Sequence, residues 1–151
     1  MAIGALFVLD PLLRKKDADQ PDADFLPLGI GPDALPSDGT PQQVTVQSDK
    51  QDAWNYYPRQ RIGTIWIRKS TDGQIIAYSA ICPHLGCSVE YRSTNKDFFC
   101  PCHNSNFDLA GERLNQIPPR PLDRLDVETR DGKIWVRFEK FRGGIEDKNP
   151  V

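Results

Sequence analysis

The sequence predicts an all-β domain built from antiparallel hairpins, and three observations carry that expectation. Thirteen prolines and eleven glycines stand against one methionine in 151 residues, a balance that favours turns over long helices. Residues 62–68, Ile-Gly-Thr-Ile-Trp-Ile-Arg, alternate apolar and other side chains with the period of two that marks a half-buried strand. Two turn signals, Ser70 to Gly73 and Arg130 to Lys133 with its central Asp131-Gly132, sit between such runs and suit hairpins.

Taken in order, Ala2 to Leu9 is apolar, ends at Asp10-Pro11 and is followed by Arg14, Lys15 and Lys16. A bilayer crossing needs about 20 apolar residues. Residues 1–16 are expected to be an apolar tip with a basic flank, either disordered or packed on a surface, or the trailing end of a membrane anchor. Residues 17–43 are rich in Pro, Asp and Gly, a composition that buries too little apolar surface to offset its ordering entropy. They are expected to form a tether or an extended segment lying on another surface. The β body spans 44–145. A strand starts at Val44, and after the 62–68 strand and its turn the chain returns over 74–80 to deliver Ile81 and Cys82. A pair at 88–92 and 97–99 brings Cys100 back, and a hairpin of 125–129 with 134–139 closes the body. Residues 146–151 are a tail. Trp54, Trp66 and Trp135 are expected in the core or on sheet faces. The net charge of −2, with scattered Lys and Arg, provides no polycationic surface and argues against nucleic acid as a partner.

All four cysteines and both histidines fall between residues 82 and 103, in Cys82-Pro83-His84-Leu85-Gly86-Cys87 and Cys100-Pro101-Cys102-His103. Pairing Cys82 with His84 and Cys100 with His103 gives two repeats of a thiolate and an imidazole, with Cys87 and Cys102 left in matching places. Two thiolates and two imidazoles suit an asymmetric [2Fe–2S] cluster, with thiolates on one iron and neutral histidines on the other. A structural zinc takes the same four ligands, although zinc fingers usually pair Cys with Cys and leave the two extra cysteines unexplained. Two plain disulfides with idle histidines are the other open reading, less needed in a chain able to bury a core of this size. Cys100 and Cys102 are separated by one residue, which excludes a thioredoxin-like Cys-x-x-Cys.

These loops resemble those of the Rieske iron–sulfur family, in its quinol-oxidising branch, where they read Cys-x-His-Leu-Gly-Cys and Cys-Pro-Cys-His-x-Ser. The resemblance spans roughly residues 44 to 145. It implies a Rieske-type antiparallel β sandwich with the cluster held by two loops at one end. It also implies Cys82, His84, Cys100 and His103 as metal ligands, and a Cys87–Cys102 disulfide that places the domain in an oxidising compartment.

The implied role is the iron–sulfur subunit of a bc-type quinol:cytochrome c oxidoreductase, an electron carrier when isolated. Its partners would be quinol, cytochrome b and a c-type cytochrome. The protein would be membrane-associated through an N-terminal anchor, with the cluster domain on the periplasmic side. Basic residues flanking an anchor normally stay cytoplasmic, so Arg14 to Lys16 pull against that orientation. Histidine ligation raises the cluster potential to about −150 to +300 mV across the class. The resemblance assigns quinol hydrogen bonding and proton-coupled electron transfer to His84 and His103, a sulfide hydrogen bond to Ser105, and shielding of the cluster and a quinone pocket to Leu85. Pro118 to Pro121 resembles the family's cover loop, usually Gly-Pro-Ala-Pro.

The chain departs from the mitochondrial-type pattern at two places. Asn104 stands where a glycine follows the histidine, and Phe107 stands where a tyrosine hydroxyl bonds a cysteine sulfur. Losing that bond is worth about 1 to 2 kcal/mol, or about 40 to 90 mV for one electron, which suits a lower-potential quinol such as menaquinol. The small Rieske subunit of a molybdenum oxidase of the arsenite oxidase type resembles the chain in Cys-Pro-His, the extra cysteines and a phenylalanine near position 107. Leu85 and Arg120-Pro121-Leu122 favour the bc type. A Rieske ferredoxin feeding an oxygenase is a third reading, against which the spare cysteine pair argues, and a zinc-bound or disulfide-stapled interaction module is the fourth.

Overall fold

The computed structural model describes residues 25–151, so the apolar tip and the first part of the tether expected at 1–24 lie outside the described residues. The chain forms β1 (Phe25–Pro27), a 3-10 turn (Pro32–Ala34), β2 (Gln42–Gln51), β3 (Tyr56–Lys69), β4 (Ile75–Ser79) and β5 (Glu90–Arg92). It continues as β6 (Asp97–Cys100), β7 (Ser105–Phe107), β8 (Arg124–Leu125), β9 (Val127–Arg130) and β10 (Lys133–Arg137). The strands make three antiparallel sheets, ordered β1-β10-β9, β2-β3-β4-β8 and β5-β6-β7. The all-β antiparallel expectation holds. Among the described residues no helix is long and apolar enough to cross a membrane.

The first two sheets enclose one core, made by Leu35, Val46, Ile65, Ile67, Ala77, Leu125, Ile134 and Val136. Ile65 and Ile67 share a face of β3 because side chains two apart on a strand point the same way, and each full burial contributes about 1.5 to 3 kcal/mol. Trp66, between them, points to the other face. There it donates from Nε1 to the Val89 carbonyl (2.8 Å) and packs on Phe98 at 5.8 Å between ring centroids. Phe98 is the hub of a second core with Tyr78, Cys82, Val89, Cys100, Phe107 and Leu122. Arg68 Nε and Tyr78 Oη both donate to the Leu109 carbonyl, at 2.9 and 3.4 Å, so the segment that follows β7 is fastened to β3 and β4 by hydrogen bonds beside the aromatic packing.

The expected turns form. Ser70 accepts from the Gly73 N–H at 2.9 Å. Asp131 and Gly132 have φ of +48° and +70°, and Arg130 pairs with Lys133. Positive φ at both central residues is what a two-residue hairpin of the right twist requires.

Three expectations need correction. From Phe25 onward the supposed tether belongs to the body: β1 pairs with β10 from Phe25↔Arg137 to Pro27↔Trp135, Leu26, Leu28 and Ile30 pack against the first core, and Leu35 is buried. Averaged composition hid an apolar residue at every second position, which is enough for one edge strand. The strand expected over 125–129 breaks at Asp126, where the chain leaves the β4 sheet as β8 and enters the β10 sheet as β9. Trp54 is 92% exposed. It sits in the β2–β3 connection, where Asp52 accepts from the backbone N–H of Trp54 and Asn55. This part of the hairpin is exposed because β4 pairs with β3 only over Ile65 to Lys69, leaving the rest of the arm without a covering layer.

Candidate metal centre

Two loops leave the second core at one end of the body. The first, residues 82–87, joins β4 to β5 and is closed by a bridge between Ile81 and Ser88. Inside it, the Cys82 N–H donates to the Cys87 carbonyl (2.7 Å) and the Gly86 N–H to the Cys82 carbonyl (3.0 Å). Gly86 has φ of +81°, a region closed to most residues with a Cβ. The second loop, residues 101–104, is the turn of the β6–β7 hairpin, with Cys100 paired to Ser105. Asn104 has φ of +62°, the left-handed region that glycine and asparagine enter most readily. Asparagine therefore fills the place where the family resemblance expects glycine. Asn115 Nδ2 holds this turn from outside by donating to the Asn104 carbonyl (2.7 Å).

Cys87 and Cys102 form a disulfide that joins the two loops, with their Cα atoms 6.5 Å apart. Their sulfurs and that of Cys100 lie within 4.8 Å of one another, but the two in the disulfide have no lone thiol to give a metal. The free thiols are those of Cys82 and Cys100, exposed by 1% and 2%, and they lie within hydrogen-bonding reach of each other. Burial pushes the Cys82 thiol up. The His84 backbone N–H and the Ser105 hydroxyl act the other way by favouring the thiolate, and Cys100 raises it further.

The imidazoles complete the set on the open side. His84 is half-buried and His103 exposed, with ring centroids 4.9 Å apart and planes at 87°. Two buried thiols and two more accessible, adjacent imidazoles fit a cluster with one thiolate-held and one histidine-held iron. Ser105 supplies a further sign of fit. Its Oγ is fully buried with no protein hydrogen-bond partner, so its hydroxyl would be available to a cluster held by these loops. Phe107 is fully buried in the second core beneath the site.

Leu85 is 64% exposed at the tip of the first loop. Beside the second loop Leu114, whose N–H donates to the Asn106 carbonyl, and Ile117 are exposed too. In the cover loop Pro118 is buried, and Arg113 Nη1 donates to the carbonyls of Pro118 and Pro119, both at 3.1 Å. Arg120 is buried and paired with Asp123 through two hydrogen bonds of 2.8 and 2.9 Å.

Sequence reasoning missed the C-terminal segment. The Gly144 N–H donates to the Pro83 carbonyl (2.9 Å), and Gly143 lies against the His84 carbonyl. The adjacent Gly143-Gly144 pair was the available signal, since paired glycines outside a turn between strands often mark a close backbone approach.

The profile of the Rieske [2Fe-2S] domain matches residues 32–126. The chain is 32% identical over 152 residues to the menaquinol:cytochrome c reductase iron-sulfur subunit of Geobacillus thermodenitrificans, covering 95% of this chain and 85% of that protein. The subunit of the same name from Bacillus subtilis is 33% identical, covering 91% and 78%. The cytochrome b6-f complex iron-sulfur subunit of Chlorobaculum thiosulfatiphilum is 42% identical over 64 residues, 42% of this chain and 35% of that protein. In structure, naphthalene 1,2-dioxygenase shares the fold, with a TM-score of 0.54 at 18% identity, over 76% of this chain and 26% of that one. With the domain profile spanning most of the β body and two relatives aligned along nearly the whole chain, the protein belongs to the Rieske [2Fe–2S] family, whose cofactor is a [2Fe–2S] cluster.

Proposed function

We propose that this chain is the electron-transfer iron–sulfur subunit of a quinol:cytochrome c oxidoreductase, with menaquinol as the quinol, and that Cys82, His84, Cys100 and His103 hold its cluster. The observation that carries the reading is a pair of imidazoles packed edge to face, one of them exposed, on the two loops that also bear two buried free thiols. The similarity to menaquinol:cytochrome c reductase subunits along nearly the whole chain supports it.

When bound, the cluster supplies a one-electron acceptor and donor at a potential raised by histidine ligation. The chain's own residues do the rest. Each ligand imidazole keeps one ring nitrogen away from the metal, and the exposed one of His103 accepts the hydrogen bond of a quinol hydroxyl and holds its proton. Leu85, Leu114 and Ile117 give the aromatic headgroup an apolar rim and exclude water from the contact. Buried Cys82 and Cys100 keep solvent from the inner face. Catalysis belongs to the assembled, membrane-associated complex, in which a cytochrome b and a c-type cytochrome are the partners. The Cys87–Cys102 disulfide supports an oxidising, periplasmic setting for this domain.

Electron paramagnetic resonance of the dithionite-reduced full chain, followed by a redox titration of the same signal, tests the proposal. The expected result is the low average g of a histidine-ligated cluster and a midpoint that falls with rising pH between about pH 6 and pH 10. A pH-independent midpoint overturns the proton-coupled role, a midpoint far below zero favours a ferredoxin donor, and zinc with no signal overturns the cluster reading.

A further inference from the structure

The residues after β10 turn back toward the cluster end as a closed strap. Phe141 bridges Pro150, the Arg142 N–H donates to the Asn149 carbonyl (2.9 Å) and the Val151 N–H to the Lys140 carbonyl (2.9 Å). The strap touches the first ligand loop at its glycine pair. The Gly144 N–H donates to the Pro83 carbonyl. A Cβ on Gly143 would stand 3.2 Å from the His84 carbonyl oxygen and 3.6 Å from that of Pro83, tighter than ordinary contact for the first of them. Gly144 has φ of +77° and also lies against the His84 carbonyl. On its other side the strap is held by the cover loop. Arg120 Nη1 donates to the Ile145 carbonyl (2.7 Å), and the same guanidinium is fixed by its paired bonds to buried Asp123.

One peptide unit links these contacts to the metal site. The Pro83 carbonyl and the His84 N–H belong to the same plane, so a bond that fixes the carbonyl fixes the direction of the N–H. That N–H belongs to His84, so the plane held by the strap also sets where the His84 side chain leaves the backbone. A contact made near the C-terminus is thus carried through one peptide to a residue proposed as a ligand.

We propose that the strap of residues 141–150 is a positioning element for the metal centre: through Gly143 and Gly144, with Arg120 and Asp123 locking it, it orients the Pro83–His84 peptide and thereby tunes the cluster potential. The orientation of a ligand and the groups that hold it tune a cluster's potential, so loosening the strap moves the midpoint. The inference rests on the presence of the cluster and is independent of which partners exchange electrons with it.

The test is a redox titration and electron paramagnetic resonance spectrum of the full, cluster-loaded chain in Gly143→Val, Arg120→Lys and Val46→Ala. Gly143→Val drives a branched side chain against the His84 carbonyl. At the wild-type midpoint its ratio of reduced to oxidised cluster is expected to change about threefold, about 28 mV on the scale of 59 mV per tenfold for one electron. Its g-values are expected to shift, with full iron content retained. Arg120→Lys keeps the charge beside Asp123 but gives up the fork that also reaches Ile145, and is expected to move the midpoint in the same direction by less. Val46→Ala loosens the first core, on which Phe141 packs but which does not include the Gly143 and Gly144 contacts to the ligand loop, and is expected to lower the melting temperature with the midpoint and g-values unchanged. If Gly143→Val does not retain its cluster, Arg120→Lys decides. Wild-type potential and spectrum in the folded strap variants, or an equal shift in Val46→Ala, overturns the proposal and leaves the strap a purely structural element.

Discussion

The two ligand loops carry equivalent residues and are held by different kinds of structure. The Cys100 loop is the turn of a hairpin: β6 and β7 pair on either side of it, Cys100 lies opposite Ser105, and its left-handed residue is Asn104. The Cys82 loop spans two sheets, because β4 belongs to one and β5 to another. Its geometry depends on Gly144 and Gly143, more than fifty residues downstream. The disulfide joins the loop that folds locally to the loop that needs the rest of the chain. A site can therefore be half local and half long-range even where its sequence motif looks like a repeat.

Removing the disulfide is the largest break in that comparison. Cys87→Ser with Cys102→Ser opens a link across a sequence separation of 15, which is expected to lower stability by about 3 kcal/mol in a denaturant titration. Amide exchange should rise more at Gly86 than within the β6–β7 hairpin. Equal loosening of both loops would show that they depend on the disulfide alike.

Phe107→Tyr acts beneath the locally folded side. A hydroxyl that reaches a cysteine sulfur stabilises the reduced cluster by about 1 to 2 kcal/mol, so the midpoint is expected to rise by about 40 to 90 mV. An unchanged midpoint would show that the second core leaves the hydroxyl no path to the sulfur.

Asp97 begins β6 and is buried, with Arg92 gripping it through a 2.8 Å bond from Nε and a second contact from Nη2. That guanidinium, with help from Asn106, holds the Asp97 carboxyl below the usual carboxylate range. A folded-state pKa below the unfolded one adds stability above the unfolded value, near 3.9, and that stability is lost as pH falls through the folded value. Asp97→Asn is expected to lower the melting temperature at pH 7 and to flatten the acid limb below about pH 4, both read by thermal melts across pH. The midpoint should stay where it is.

The smallest effect belongs to the turn itself. Asn104→Gly offers a residue equally at ease at φ of +62°, so stability should change by less than about 0.5 kcal/mol and the potential not at all. A large loss would mean that the Asn104 side chain has a role beyond its backbone.

Much of the site was legible because ligand chemistry is local. Thiolates, imidazoles and spare cysteines fall within 22 residues, and the hairpin that carries half of them announces itself through Asp97-Phe98-Phe99 and a tight turn. Departures from the family pattern were legible in part: Asn104 looked like a loss of glycine, and its φ shows it to be an equivalent. Composition misled at 25–43, where an average over Pro, Asp and Gly concealed Leu26, Leu28 and Ile30, which pack against the first core from the edge strand and the residues just after it. It misled again at Trp54, since a tryptophan's apolar area favours burial only if another layer arrives to cover it.

The sequence by itself determined the fold class, the ligand set to be expected and the short turns, because strand periodicity, donor chemistry and positive-φ residues are properties of a few neighbouring positions. Tertiary structure alone decided that Leu35 fills the first core, that the chain changes sheets at Asp126, and that Gly143 and Gly144 reach the His84 loop. Those outcomes depend on which surfaces meet across long stretches of chain. Close packing selects among such meetings by shape, and no local pattern of residues carries that information.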